Sequence, residues 1–436
     1  MSKLPTTRSE NAFADGKPAY SPVQALTEAN RCLYCADAPC VQACPTEIDI
    51  PEFIRKIATG NLRGSARTIF AANIFGMSCA RVCPVEVLCV GKCVYNEMDV
   101  PPIQIGKLQR YATDAAYERG DRFFTAGPDT GKRVALLGGG PASLAAAHEL
   151  RRCGHACTIF EQGALLGGLS TTGVAPYKMK SDRALAEVEW VLGIGGVEIR
   201  TGVRVGTDVA VAELLRDFDA VFVGLGLGAD SLLAAPGADL EGIRGAVDWI
   251  AELKTGQIDA AKIARAVVIG GGNTAVDTVR ELRGLGIADV ALAYRGAEAR
   301  MSGYAHEWAA AKVEGVRGVF GVQPTAFEGA GGKVEAVRFA CLDADRRPTG
   351  EERVLAADCV LLAIGQGRLG ELFADVAGVA LDRGRLVVDG DGRTQHPKIF
   401  AGGDCANGGK EVVNAVAEGK RAAIAIDQLL RGGESS

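Results

Sequence analysis

Hydrophobic residues follow two successive patterns along this chain. Up to about residue 120 they recur at helical spacing. Residues 22–31 read as a helix. Asp49-Ile50-Pro51-Glu52 reads as a helix start, with Asp49 as cap and proline in the first turn. Phe53, Ile54 and Ile57 then share one face, and a further helix fits residues 62–72. Nothing in this part alternates as a strand would. Residues 1–20, polar and mixed in charge, read as a loose arm. A linker at 120–131, centred on Gly127-Pro128, ends this pattern. Short runs of buried-strand type follow: Val134-Ala135-Leu136-Leu137, Thr158-Ile159-Phe160, Val221-Phe222-Val223, Ala266-Val267-Val268-Ile269, Asp289-Val290-Ala291-Leu292-Ala293, Val360-Leu361-Leu362-Ala363-Ile364 and Ile399-Phe400-Ala401. The expected fold class is α/β, a small helical domain followed by two Rossmann-like domains. Val221 to Gly226 marks the crossing from the first to the second, and Val360 to Gln366 the strand that returns.

Composition narrows the class. The chain has 436 residues, 48% of them hydrophobic, enough for about three domains with substantial cores. Its 57 glycines suit folds with many tight turns. A formal net charge of -5 provides no basic field for nucleic acid or an anionic membrane. No apolar run reaches the ~18–20 residues of a membrane helix, and no signal-peptide pattern opens the chain. Thirteen cysteines, most in ligand-like spacing, point to the reducing cytoplasm.

The cysteines carry the first chemistry. Cys32, Cys35, Cys40 and Cys44-Pro45 form C-x2-C-x4-C-x3-C-P, and Cys83-Pro84, Cys89 and Cys93 form C-P-x4-C-x3-C. A run ending in Cys-Pro is the mark of a two-cluster iron–sulfur protein, in which the fourth cysteine serves the other cluster. Cys32, Cys35 and Cys40 then need a fourth ligand from the second group, and Cys44 joins Cys83 and Cys89. Zinc would want two compact four-ligand groups, and only Cys32 and Cys35 have that spacing. Disulfides would demand an oxidising compartment. Cys153, Cys157, Cys341, Cys359 and Cys405 have no ligand spacing and read as small buried hydrophobes. His148, His155, His306 and His396 form no cluster with acids or cysteines and read as structural or surface groups.

Two glycine turns carry the second. The first strand runs into Gly138-Gly139-Gly140-Pro141-Ala142-Ser143, an Ala-rich helix and a second strand ending at Glu161. Gly138 permits the turn, Gly140 the approach of a pyrophosphate and Ser143 the close helix–strand contact, while Glu161 can accept from a ribose. Gly270-Gly271-Gly272-Asn273-Thr274-Ala275 repeats the arrangement, but its second strand ends in Tyr294-Arg295. Without a terminal acid, Arg295, assisted by Arg300, can meet a 2′-phosphate, or both can be solvated.

These motifs resemble the N-terminal iron–sulfur segment of dihydropyrimidine dehydrogenases: CLYCADAPCVQACPTEIDIPEFI, CARVCPVEVLCVGKC and PIQIGKLQRYATD. The resemblance continues through the chain, which is similar to the separate NAD(P)H-oxidising subunits of the bacterial enzyme. It implies one [4Fe–4S] cluster on Cys32, Cys35, Cys40 and Cys93, and another on Cys44, Cys83, Cys89 and the side-chain oxygen of Gln109, with Cys79 outside both sets. It also implies FAD at the first glycine turn. Gly167-Gly168-Leu169 continues that site as in flavoproteins of the glutathione-reductase type, Gly403-Asp404 holds the ribityl chain, and the helix opening at Glu411-Val412-Val413 faces the flavin. GGLSTTGVAPYKMK departs from the family's GGLSTS-x-IPQFRLP by placing Lys178 where arginine is frequent, either as a flavin-side cation or as a solvated lysine.

The implied domains are 1–128 for two clusters, 129–228 with 358–436 for FAD, and 229–357 for NAD(P). The implied function is electron input: NAD(P)H is oxidised at FAD, and the electrons pass through the clusters to an FMN- and iron–sulfur-containing subunit that reduces uracil and thymine. No acid–base catalytic residue is expected, since hydride transfer depends on positioning and electrostatics. Glutamate synthase small subunits share the architecture and are the alternative. A zinc-stabilised interaction protein and a thioredoxin-reductase-like enzyme fit less well, the latter because only Cys341 lies in the inserted domain.

Overall fold

The computed structural model describes residues 4–367, 369 and 372–432. Among the described residues no strand precedes Arg133, and no helix is long and apolar enough to cross a membrane. The first part is built of the helices Pro22–Asn30, Pro39–Gln42, Ile50–Ala58, Leu62–Ala72, Gly76–Val82 and Ile105–Glu118. Their starts are set locally. Ser21 and Gln24 form a reciprocal capping box before Pro22, Asp49 Oδ1 accepts from Glu52 N (3.0 Å), and Asn61 Oδ1 accepts from Gly64 N (2.9 Å). Phe53, Ile54, Ile69 and Leu108 make a small core, and Cys32, Cys40, Cys44, Cys89 and Cys93 pack against it.

The first α/β unit opens with β1 (Arg133–Leu137), β2 (Ala156–Glu161), β3 (Val197–Thr201) and β4 (Ala220–Val223). The chain then crosses to β5 (Ile243–Gly245), β6 (Arg265–Ile269), β7 (Asp289–Tyr294) and β8 (Arg317–Phe320). An antiparallel group, β9 (Val322–Ala330), β10 (Lys333–Leu342) and β11 (Pro348–Ala356), precedes β12 (Cys359–Leu362). A small hairpin of β13 (Leu381–Asp382) and β14 (Arg385–Leu386) leads to β15 (Ile399–Ala401). The two main sheets are parallel, in the orders β15-β4-β1-β2-β3 and β5-β12-β6-β7-β8. They share one plan. Each has its glycine-turn strand at the centre, flanked on one side by the last strand before the chain leaves that unit.

That plan corrects one expectation. The run Val360 to Ile364 does not re-enter the first unit. Its strand β12 pairs in parallel with β5 and β6, Val360 lying opposite Ile243 and Val267. It occupies in the second sheet the place that β4 occupies in the first. The return crossing follows β12, and β15 beside β4 completes the first sheet.

The N-terminal arm is the second correction, because its described residues are anchored. Glu10 is fully buried and accepts from Ser181 N (2.9 Å), and Arg8 Nη2 donates to Asp182 (2.6 Å), both in the first unit. Ser9 N donates to Gly256 O (3.0 Å), and Ser9 Oγ accepts from Ile258 N (2.7 Å), both in the second. Phe13 enters the second unit's core, over Gly284, where a Cβ would run into its ring. The arm therefore spans both units. Phe13→Ala should destabilise the second unit by about 3–5 kcal/mol, the usual range for emptying a buried phenylalanine site. Chemical denaturation followed through the buried Trp249 and Trp308 measures it, and a loss under about 1 kcal/mol, close to the scale of a surface substitution, would show the arm to be dispensable.

Candidate functional site

The thiols fall into two sets. Cys32, Cys35, Cys40 and Cys93 line one hollow walled by apolar side chains such as Ile50, Ile54 and Ile103. Burial, followed by Cys32 and Cys93, pushes the Cys40 thiol up to about 12. The second set gathers Cys44, Cys83 and Cys89. Burial and then Cys44 push Cys89 up to about 12. Cys83 is raised most by a hydrogen bond with Cys79, then by burial, and by Cys89 and Cys44 nearby. Thiolates in such places need a cation to hold their charge. Among the described residues no three His, Cys, Asp or Glu side chains converge tightly enough for a single ion. Thiols ringing a space suit a polynuclear cluster better than one zinc.

Gln109 lies on Ile105–Glu118, which runs against the stretch that holds Cys79 and Cys83: a Cβ on Gly106 would sit 3.2 Å from Val85 and 3.5 Å from Ala80 O. The Gln109 side chain is 7% exposed, and its Nε2 donates to Gly76 O (2.7 Å). Its oxygen has no hydrogen-bond partner among the described residues and is free to act as a donor atom. Cys79, which the resemblance leaves outside both sets, stands one helical turn before Cys83 and touches it. The structure thus brings Cys32, Cys35, Cys40 and Cys93 together and gathers Cys44, Cys83 and Cys89 with Cys79 beside them, while Gln109 stands on the adjacent helix against Gly76.

At the first glycine turn the three glycines differ in what a side chain would meet. A Cβ on Gly138 (φ +88°) would lie 2.6 Å from Gly224 O. One on Gly139 would strike Leu166, whereas Gly140 faces open space, its nearest neighbour 4.0 Å away. The opening at Gly140 fits a pyrophosphate. Glu161 accepts from Gly139 N (2.7 Å) and Gly163 N (2.6 Å), which fixes the carboxylate beneath the turn with lone pairs to spare. Gly168 (φ +51°) lies over Gly140, Leu169 starts the next short helix, and Pro141, Ala142 and Ser143 open the helix Pro141–Cys153. Gly403 and Asp404 reach this site because Val412–Leu430 packs closely on that helix. A Cβ on Gly403 would meet Ala142 at 3.1 Å, and one on Gly419 would clash with Ala142 O. Burial pushes the Asp404 carboxyl up, aided by Glu418 and Glu411. Glu411 stands at the start of that helix without a side-chain capping bond, followed by Val412 and Val413. Glu418, which sequence reasoning missed, accepts from Gly403 N (2.7 Å) and Asn407 Nδ2 (2.9 Å) and holds the Gly-Asp turn.

The second turn repeats the first. A Cβ on Gly270 (φ +152°) would clash with Ala363 O, one on Gly271 would lie 2.5 Å from the Tyr294 ring, and Gly272 is open. Asn273 Oδ1 accepts from Tyr304 N (2.9 Å), with Thr274 and Ala275 in the helix that follows. Tyr294 stands where an acid would be and donates to Arg300 O (2.9 Å). Arg295 and Arg300 are exposed and make no ion pair among the described residues.

Lys178 is not a solvated lysine. Its Nζ lies 2.8 Å from both Asp277 and Glu307 of the second unit, and its side chain is 14% exposed. Tyr177 also bonds Asp277, Tyr304 donates to Glu411 (2.6 Å), and Lys254 Nζ donates to Val174 O (2.6 Å) and Met179 O (2.8 Å). These links close the seam between the units. Of the other thiols, Cys157, Cys359 and Cys405 are buried, but Cys153 and Cys341 are only half-buried. Two histidines do meet acids: His155 pairs with Asp427 (2.8 Å) inside the first unit, and His306 with Glu86 (3.5 Å). Both acids are too distant in sequence for spacing to have shown them.

Two family models match. Residues 8–121 match dihydropyrimidine dehydrogenase domain II, 4Fe-4S cluster, and residues 132–419 match pyridine nucleotide-disulphide oxidoreductase. The PreT subunit of NAD-dependent dihydropyrimidine dehydrogenase from Escherichia coli K12 is 34% identical over 423 residues, 97% of this chain and 98% of its own. The small chain of glutamate synthase [NADPH] from the same strain is 34% identical over 441 residues, 95% of this chain and 93% of its own. The fold is shared with T. acidophilum thioredoxin reductase, at TM-score 0.56 and 22% identity over 68% of this chain and 97% of that one.

The contrast between Gly138 and Gly140 makes a test. Gly140→Ala should leave the thermal midpoint nearly unchanged while lowering FAD retention, because its methyl group enters only the space for phosphate. Gly138→Ala should lower both, since its Cβ meets backbone at a left-handed φ. Flavin content and thermal melts of the purified variants measure the difference, and equal behaviour of the two would contradict the site. Its thiol sets and paired glycine turns lie within the two matched regions, and the chain belongs to the pyridine nucleotide-disulphide oxidoreductases, as an NAD(P)H-dependent FAD/iron–sulfur oxidoreductase similar throughout to the dihydropyrimidine dehydrogenase NAD subunit and the glutamate synthase small chain.

Proposed function

We propose that this chain is the electron-input subunit of a hetero-oligomer, passing electrons from NAD(P)H to a partner that contains FMN and iron–sulfur centres and reduces uracil and thymine. The observation that carries this reading is the docking of the helix Gly76–Val82, next to the second thiol set, directly on the unit that contains Glu161 and Asp404. When bound, FAD supplies two-electron acceptance from the nicotinamide, and the clusters supply one-electron conduction.

The chain's own residues supply position. Gly138, Gly140, Glu161, Gly168 and Asp404 would hold FAD, and Gly270, Gly272 and Asn273 the nicotinamide nucleotide. Lys178 and Glu411 fix the two turns relative to each other through Asp277, Glu307 and Tyr304. Such fixed approach is what hydride transfer requires. Cys32, Cys35, Cys40 and Cys93 are assigned to one cluster, and Cys44, Cys83, Cys89 and Gln109 to the other. The C-A-D-A-P-C and I-G-x-L-Q segments favour the pyrimidine reading. Glutamate synthesis is the second reading, favoured by a small chain of equal identity.

The deciding experiment purifies the chain with the product of its neighbouring gene and assays NAD(P)H oxidation with uracil and, separately, with glutamine plus 2-oxoglutarate. Turnover with uracil supports the first reading, and turnover only with the latter pair replaces it. Nucleotide choice has its own test. Arg295 is exposed and makes no ion pair among the described residues, so Arg295→Ala should weaken NADPH at least about tenfold more than NADH, the scale of one lost charged contact. Equal losses in KM, or native preference for NADH, would remove Arg295 from phosphate recognition.

A further inference from the structure

We propose that Glu187 is a positioning residue for the second donor set: rooted in the FAD unit, it caps the helix Gly76–Val82 and through Gly76 sets the orientation of Gln109. This rests on the assignment of Gln109 as a cluster donor. Glu187 lies on the helix Ser181–Leu192 and is completely buried. Its carboxylate accepts from Met77 N (3.0 Å), from Ser78 N (3.1 Å) and from Ser78 Oγ. These are first-turn groups of a helix whose own N-cap, Phe75, has no side chain able to accept. Unpaired N–H groups at a buried helix start are costly, and here the acceptor comes from a residue 109 or 110 positions later.

The same turn presents Gly76 O to Gln109. Gly76 has little room to move, because even a Cβ there would lie 2.6 Å from Ile69. With Gln109 Nε2 donating to Gly76 O, the amide nitrogen is held on Gly76 and the oxygen occupies the other branch of the planar group. A shift of the first turn would therefore turn the Gln109 oxygen. The other end of the helix passes directly into Cys83, so the same shift is felt there. Arg81, whose Nη2 lies 2.7 Å from both Asp114 oxygens and whose Nη1 donates to Met77 O (3.1 Å), ties the middle of this helix to the one that holds Gln109. A carboxylate of the flavin unit thus reaches a donor atom of the cluster domain through two hydrogen bonds and one peptide.

Capping for stability alone would not single out one cluster, and that separates the two possibilities. The experiment uses the full chain loaded with flavin and clusters, in Glu187→Gln, Ser78→Ala and Gln109→Ala forms. Iron and flavin content, the EPR spectrum and midpoint potential of each cluster, and the thermal midpoint are measured. Burial pushes the Glu187 carboxyl up to about 7, so above that pH Glu187→Gln keeps the volume but removes a buried negative charge and one acceptor. It should change the g-values of one cluster and shift its potential upward, leaving the other cluster and the flavin spectrum unchanged. The affected cluster should be the one perturbed in Gln109→Ala. Ser78→Ala should move the same signal by a smaller amount, and it decides the matter if Glu187→Gln does not fold. A lowered thermal midpoint with both cluster signals unchanged would reduce Glu187 to a structural cap and overturn the proposal. A one-cluster shift in Glu187→Gln beside an unperturbed Gln109→Ala protein would overturn the Gln109 assignment instead.

Discussion

Two close backbone contacts organise this molecule. Gly138 lies against Gly224 O, and Gly270 against Ala363 O, each without room for a Cβ. Each contact joins a nucleotide turn to the end of the strand by which the chain leaves that unit. Turn and crossing are therefore the same place, so the turns proposed to hold two dinucleotides lie where the chain passes between the units. A side chain at either glycine would push the turn off its strand and tilt one unit against the other. This is why the strand pairs β1/β4 and β6/β12 are built alike, with matching parallel registers.

Fixing two such units at a useful distance requires more than two connections. The seam is held by charge and hydrogen bonds: Lys178 between Asp277 and Glu307, Lys254 on two carbonyls of the first unit, and Tyr304 on Glu411. Burying these groups is costly unless each finds its partner, so the seam rewards one arrangement and penalises slippage. A greasy seam of the same area would tolerate sliding. For a reaction controlled by ring-to-ring approach, that specificity matters more than raw stability.

What the sequence disclosed was local. Strands, glycine turns and helix caps each depend on neighbours a few residues away, and the thiol sets follow from spacing within a short segment. What it concealed was long-range pairing. The run Val360 to Ile364 has the same apolar pattern as Val221 to Val223, and nothing local says which sheet it joins. Lys178 reads equally as a flavin-side cation or a solvated lysine because its partner Asp277 lies 99 residues on, a distance at which sequence reasoning has least force. Glu187 sits in an ordinary amphipathic helix and gave no signal. The arm misled for another reason: its anchors Arg8, Glu10 and Phe13 are too mixed to form a periodic pattern, and each finds a different partner.

That arm has a consequence for the order of folding. Its residues are made well before their binding surface, which is assembled from Ser181, Gly256, Ile258 and Gly284. More than half the chain must be synthesised before that surface exists. Contacts between such distant residues close late, since loop entropy is lost before any contact compensates for it. The second unit cannot fill the space under Phe13 until then, and residues made early reach their native neighbours late.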